Sequence, residues 1–294
     1  MLPPITTADG LALHTHHWPA QGQPRGTLLI VHGLGEHAGR YAPHVAAQFA
    51  AAGWQVVGYD QRGHGRSGGP RGDLPAAPPA AQWLQQDLAT VIDALRAASL
   101  PRPLVLLGHS MGGLVAARFV AALQETPCPA WVRDVDALIL SVPALDAGLS
   151  AWSRLRIALG LALTPHLAVG NGLSPDDLCS VPEAVAAYRA DPLVHDRITP
   201  TLAQMFALDG PATLAQAPHW RVPTLVSWSD ADRCVAPRGS AAFAKAAPAA
   251  VVTAQPQHGL GHELFNEAQG AAIVAQWVAW LGARALSAHP PPSA

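Results

Sequence analysis

Short apolar runs alternate with segments of helical spacing along most of the chain, the rhythm of βα units feeding a mostly parallel, buried sheet. Thr27-Leu28-Leu29-Ile30-Val31-His32 is almost continuously apolar and stops at Gly33, which predicts a strand covered on both faces. Gln55 to Asp60, Pro103 to Leu107, Ala137 to Val142, Pro223 to Trp228 and Ala250 to Thr253 read as further strands. Between them the period lengthens. Leu84, Leu88, Val91, Ile92 and Leu95 recur every three or four positions, so Gln82 to Ala98 is predicted as an amphipathic helix. Val45 to Ala52, closed by Gly53, and Gly112 to Leu123 are predicted helices too, with others near Ser240 to Ala246 and through Trp277, Trp280 and Leu281. Alternation over Leu11 to Trp18, followed by Pro19 and Gly22, predicts an edge hairpin.

After Pro143 the rhythm fails. Trp152 to Leu163 reads as helix, but Pro165, Gly170, Gly172, Pro175 and Pro192 interrupt the chain beyond it. The chain therefore divides into a core over 1–142, an inserted cap over 143–220, a second part of the core over 221–286 and a tail over 287–294 expected to be disordered.

Composition narrows the field. With 294 residues, half of them hydrophobic, the chain can bury a sizeable core. A net charge of −2 and only 13% charged residues announce no polyanion-binding surface, so nucleic acid is not an expected partner. Cys128, Cys179 and Cys234 are odd in number and far apart, which suits free thiols in a reducing compartment. The first ten residues lack a basic stretch followed by an apolar one, and a cytoplasmic location is expected. Apolar runs such as Leu155 to Leu163 stop well short of the roughly 20 residues that cross a bilayer.

Candidate chemistry centres on Gly108-His109-Ser110-Met111-Gly112, placed between a predicted strand and a predicted helix. In such an elbow the glycines let strand and helix approach while the serine oxygen projects from the turn. A serine hydroxyl is a poor nucleophile at neutral pH, so it needs a base and a group to orient that base. The elbow predicts the order serine, acid, histidine, with the last two on loops after later strands. Asp230 and Asp232 directly follow the strand ending at Trp228, and His262 follows the last strand. Residue order alone leaves both aspartates open. Acyl transfer also needs N–H donors for a tetrahedral oxyanion. Met111 offers one, and Leu34, between glycines in His32-Gly33-Leu34-Gly35, offers the second.

These motifs resemble the monoacylglycerol lipase and lysophospholipase family of α/β-hydrolases. His32-Gly33-Leu34-Gly35-Glu36-His37-Ala38-Gly39-Arg40-Tyr41 is similar to the family's oxyanion-loop signature. Tyr59 to Ser67, Gly108 to Gly113, Asp191-Pro192-Leu193-Val194 and Gly261 to Glu267 match in the same order. The resemblance implies an α/β-hydrolase fold, nucleophile Ser110, acid Asp232, base His262, oxyanion amides from Leu34 and Met111, and a cap shaping an apolar acyl tunnel. It implies hydrolysis of a small lipid ester, most simply a monoacylglycerol, with no cofactor and no metal. A lysophospholipase or general carboxylesterase is the nearby alternative, and a ligand-binding protein on the same fold is the alternative of another class. One departure from the pattern is Trp228-Ser229-Asp230-Ala231-Asp232-Arg233, where the family usually has glycines before the acid.

Several weaker signals remain. Glu36 and Arg40 are candidates to brace the oxyanion loop. His14, His16 and His17 invite a metal, but histidines at alternating positions near a sheet edge are read as surface or packing residues. The apolarity of Trp152 to Leu163 suits packing over the site, and equally a weak peripheral contact with a membrane.

Overall fold

A computed structural model describes residues 4–76 and 82–284. The tail predicted over 287–294 lies outside the described residues. Seven strands form the central sheet: β1 (Thr15–Trp18), β2 (Gly26–Val31), β3 (Trp54–Tyr59), β4 (Leu104–His109), β5 (Ala137–Ser141), β6 (Thr224–Ser229) and β7 (Val252–Gln257). Their order in space is β7-β6-β5-β4-β2-β3-β1, and every pair is parallel except β1 with β3. This doubly wound, mostly parallel sheet flanked by helices is the α/β-hydrolase arrangement.

Period-two alternation sends successive side chains of each apolar strand to opposite faces. Leu29, Val31, Val57, Leu106, Leu138 and Val226 join one buried cluster, which includes residues of α2 (Gln82–Ala97), α3 (Met111–Ala121) and α7 (Pro237–Ala246). Leu28, Ile30, Val56, Val105, Ile139 and Leu225 join the other, against α1 (Ala47–Ala51) and α8 (Gly270–Gly282). Each fully buried Leu, Ile or Val contributes about 1.5–3 kcal/mol over an exposed one, so a charge placed at Ile30 would open the sheet from its centre.

The first and last strands of the central sheet depart from the sequence reading in ways that matter for the sheet. The Leu11 to Trp18 segment splits: Ala12–Leu13 pairs antiparallel with Ile5–Thr6, while β1 pairs with β3 instead of turning back at Pro19 and Gly22. The last strand starts later than Ala250, because the amides of Val251 and Val252 both bond to the Pro248 carbonyl in a turn. It then runs on to Gln257 with one side exposed, and as an edge strand it tolerates Pro256, which has no N–H to donate.

Between β5 and β6 the chain leaves the sheet and forms α4 (Ala151–Leu163), α5 (Pro182–Ala190), α6 (Pro200–Gln216) and a two-stranded sheet, Val169–Gly170 with Arg197–Ile198. No residue of α4 is buried. No helix among the described residues is long and apolar enough to cross a membrane. The three cysteines are all free thiols.

Candidate active site

β4 runs straight into the turn at Ser110, whose φ of 53° and ψ of −119° lie outside the conformations an L-residue prefers. Strain of this kind costs about 1–3 kcal/mol and persists only where the surroundings over-determine it. Here they do. A Cβ on Gly112 would stand 2.1 Å from the Val31 carbonyl oxygen, and one on Gly108 would stand 2.6 Å from that of Gly112. The Ser110 amide donates to the Ser141 carbonyl at 3.0 Å, and the Ser110 carbonyl accepts from Leu114 and Ala144, each at 3.0 Å. Ser110 is thus pinned at the N-terminus of α3, where free amides and the helix dipole favour developing negative charge.

His262 and Asp232 meet on loops after β7 and β6. His262 Nδ1 lies 2.7 Å from Asp232 Oδ2, and both side chains are almost fully buried. The other oxygen, Oδ1, accepts from the amides of Cys234 at 2.8 Å and Val235 at 3.1 Å. Burial pushes the Asp232 carboxyl up, but His262 and these hydrogen bonds outweigh it and hold the group below the ordinary carboxylate range. Asp230 goes elsewhere: exposed, it binds His258 Nδ1 at 2.7 Å and the Gly259 amide at 2.9 Å. Among the described residues no hydrogen bond joins Ser110 Oγ to His262. His109, the neighbour of Ser110 in the chain, packs against His262 with ring centroids 5.0 Å apart. Burial, reinforced by His262, pushes His109 down to about 3, so it is neutral beside the pair.

The His32 to Tyr41 loop is braced from within. Glu36 Oε1 accepts from the Gly33 amide and the Tyr41 hydroxyl, both at 2.7 Å, and Oε2 accepts from Arg40 Nη1 at 2.5 Å. Arg40 also grips Glu263 through two nitrogens at 2.6 and 2.9 Å, and the Tyr188 ring of α5 lies 4.6 Å from its guanidinium carbon. Glu36 and Arg40 therefore form a buried network rather than a solvated pair, and it ties the loop to the residue after His262. Sequence reasoning misses Glu263 as a partner of Arg40; its signal is its place in the Gly261 to Glu267 motif, directly after His262. Leu34 lines the same cavity as Ser110, and Gly33 lies so close that a Cβ there would stand 3.3 Å from Ser110 Cβ.

Asp191-Pro192-Leu193-Val194 also gains a place. Asp191 Oδ2 bonds His37 Nε2 at 2.8 Å, and the His195 amide donates to the Gly35 carbonyl at 2.8 Å. At Gly35, φ is +77° and a Cβ would stand 2.3 Å from the His195 carbonyl oxygen, so only glycine fits. Above Ser110 opens a cavity of about 390 Å³, walled mainly by apolar side chains such as Leu34, Ile157, Leu167, Phe206 and Val235.

The family model described as serine aminopeptidase, S33, matches residues 22–269. The chain belongs to that family. A monoacylglycerol lipase of Mycolicibacterium smegmatis is 33% identical over 268 residues, covering 90% of each chain. The human monoglyceride lipase is 26% identical, covering 99% of this chain and 94% of its own. Among solved structures, the monoacylglycerol lipase of Paleococcus ferrophilus superposes with a TM-score of 0.78 at 28% identity, covering 92% of this chain and 98% of that one. This S33 member is a serine ester hydrolase of the monoacylglycerol lipase-like group.

Proposed function

We propose that the hydrolase cleaves a monoacylglycerol to a fatty acid and glycerol through an acyl-enzyme on Ser110. The observation that carries this reading is a serine on a strained elbow opening into an apolar cavity of about 390 Å³. That volume is at the small end of the roughly 300–1,000 Å³ of ligand pockets, room for one acyl chain with a small alcohol.

In this mechanism His262 takes the Ser110 proton as the oxygen attacks the ester carbonyl, and Asp232 holds the imidazole by its Nδ1–H and stabilises the cation that forms. The Leu34 and Met111 amides receive the oxyanion, each donor being worth about 2.7–4 kcal/mol of barrier. His262 returns the proton to the departing glycerol oxygen. Water, activated by the same histidine, then releases the acid.

Residues 143–220 act in this reading as a cap that shapes the acyl tunnel. Outward from α4, Trp152 and Leu163 are 66% and 76% exposed, with Leu155 and Leu159 between them and Arg154 and Arg156 alongside. This edge is our candidate for weak contact with a lipid aggregate; a protein that neither binds nor responds to substrate vesicles would remove that role.

The test is hydrolysis of monoacylglycerols, diacylglycerols, lysophospholipids and short esters, with Ser110→Ala alongside. Monoacylglycerols should give the highest kcat/KM, and Ser110→Ala should lose about 10⁴-fold or more. Preference for another head group would move the assignment to lysophospholipase or general carboxylesterase. Activity surviving Ser110→Ala would overturn the mechanism, and failure of a fluorophosphonate to label Ser110 would favour a non-catalytic binding protein.

A further inference from the structure

At the far edge of the sheet from β7, three side chains that play no part in the proposed catalysis converge. His14 precedes β1 and His16 lies within it, two residues apart, so both imidazoles face the same way. His17, pointing oppositely, contacts the Gln55 side chain instead. The antiparallel pairing of β1 with β3 continues one residue beyond the strands: the Asp60 amide donates to the His14 carbonyl at 2.9 Å, setting Asp60 directly opposite His14. Asp60 Oδ1 lies 3.0 Å from His16 Nε2, and the His14 and His16 rings meet edge to face with centroids 4.8 Å apart. One donor atom from each of the three falls within 4.8 Å of the others.

A second observation points to the same place. His37 is 7% exposed, its ring centroid lies 6.3 Å from that of His16, and its Nδ1 has no hydrogen-bond partner. Its Nε2 is occupied by Asp191. A Cβ on Gly39 would stand 2.9 Å from His37 Nδ1 and 3.1 Å from His16 Cε1, so both rings border one small space that glycine keeps open.

We propose that His14, His16 and Asp60 bind a divalent cation of the zinc type, with water completing the coordination and hydrogen-bonding to His37 Nδ1. Two imidazoles and a carboxylate are a borderline donor set that suits Zn²⁺. Zinc takes such ligands at about 2.0–2.2 Å, which places tetrahedral donors about 3.3 Å apart, close to the spacing His16 and Asp60 already have. Binding moves the His16 Nε2 proton to Nδ1 and leaves Asp60 its other contacts, the amides of Ala38 at 3.0 Å and Arg66 at 2.8 Å. The ion would thereby tie β1 to the end of β3, where Asp60 already holds the His32–Tyr41 loop through Ala38 and the Gly63–Gly69 loop through Arg66, a conformational role separate from ester hydrolysis.

The experiment is calorimetric titration of the full chain with Zn²⁺ after chelator treatment, alongside thermal melting. One equivalent should bind and raise the melting midpoint. His14→Gln and His16→Gln should each weaken binding by about tenfold or more, whereas His17→Gln should leave it unchanged. Asp232, Cys234 and His262 form the other compact donor group among the described residues, so Cys234→Ser must also retain the ion. The Co²⁺-substituted wild-type protein, which depends on no variant folding, should lack a thiolate charge-transfer band. Absence of saturable zinc binding, its survival in the doubly substituted His14→Gln, His16→Gln chain, its loss in Cys234→Ser, or a thiolate band with cobalt would each overturn the proposal.

Discussion

Replacing Asp232 with Asn tests the orientation of His262 directly. Asp232 Oδ1 is held by two backbone amides and Oδ2 faces His262 Nδ1 at 2.7 Å. An asparagine keeping the two amide bonds must turn its own NH₂ toward Nδ1. That nitrogen then has to accept, which moves the ring proton to Nε2, the position needed to take a proton from Ser110. The same wrong-tautomer effect in a serine protease triad lowers kcat by about 10⁴. At 1.36 kcal/mol per tenfold this is about 5.4 kcal/mol of barrier. Asp230→Asn is the control, since Asp230 is exposed and bound to His258, and its kcat should stay within about twofold of the wild type. Initial rates on a soluble monoacylglycerol, with melting curves to show that both variants fold, make the measurement. Equal losses in the two variants, or a folded Asp232→Asn retaining a tenth of wild-type activity, would refute the reasoning.

Removing the guanidinium with Arg40→Met strands Glu36 and Glu263 in a buried site, and urea unfolding should show a loss of about 3–5 kcal/mol; a loss under about 1 kcal/mol would mean the network is solvated. Gly112→Ala drives a methyl against the Val31 and His32 carbonyls, so it should cost about 1–3 kcal/mol and most of the activity, whereas Gly282 at the end of α8, where a Cβ would meet nothing closer than an Arg25 nitrogen at 3.8 Å, should tolerate alanine with activity intact. Asp209 of α6 is pushed up to about 6, chiefly by burial, while its unfolded value is near 3.8. The folded state thus holds a proton the unfolded chain has lost, and stability falls between about pH 4 and 6 by up to about 3 kcal/mol and stays lower above that. Asp209→Asn should therefore stabilise at about pH 8 and do little at about pH 4, helped by an NH₂ beside the unpartnered Oε1 of Gln85; an equal effect at both pH values would refute the assigned cause.

Periodicity exposed the sheet because each central strand is buried on both faces, so Leu28 to Val31 could hardly read as anything else. The hairpin was misplaced because alternation over Leu11 to Trp18 identifies a half-buried strand but says nothing about its partner, which is the distant β3. Ser110 was legible since strand, turn and helix are contiguous in the chain. The two aspartates were not separable by order or residue type; what distinguishes them is burial and the direction of one loop, with Asp232 turned in to His262 and Asp230 turned out to His258. Glu263 and Asp191 were legible as members of matching motifs but not in what they bind, since their partners Arg40 and His37 lie 223 and 154 positions away.

The backbone bond from His195 to Gly35 has a consequence for anyone recombining parts of this fold. The segment between β5 and β6 looks like a cassette, yet it is stitched to the loop after β2 at Gly35 and to Gly72 through the Thr199 amide. Transplanting that segment alone would bring a foreign side chain or carbonyl against Gly35, where there is no room for either to move. A working chimaera would have to carry both halves of the seam, and libraries built by exchanging the insertion should be drawn with residues 32–41 and 63–74 travelling with it.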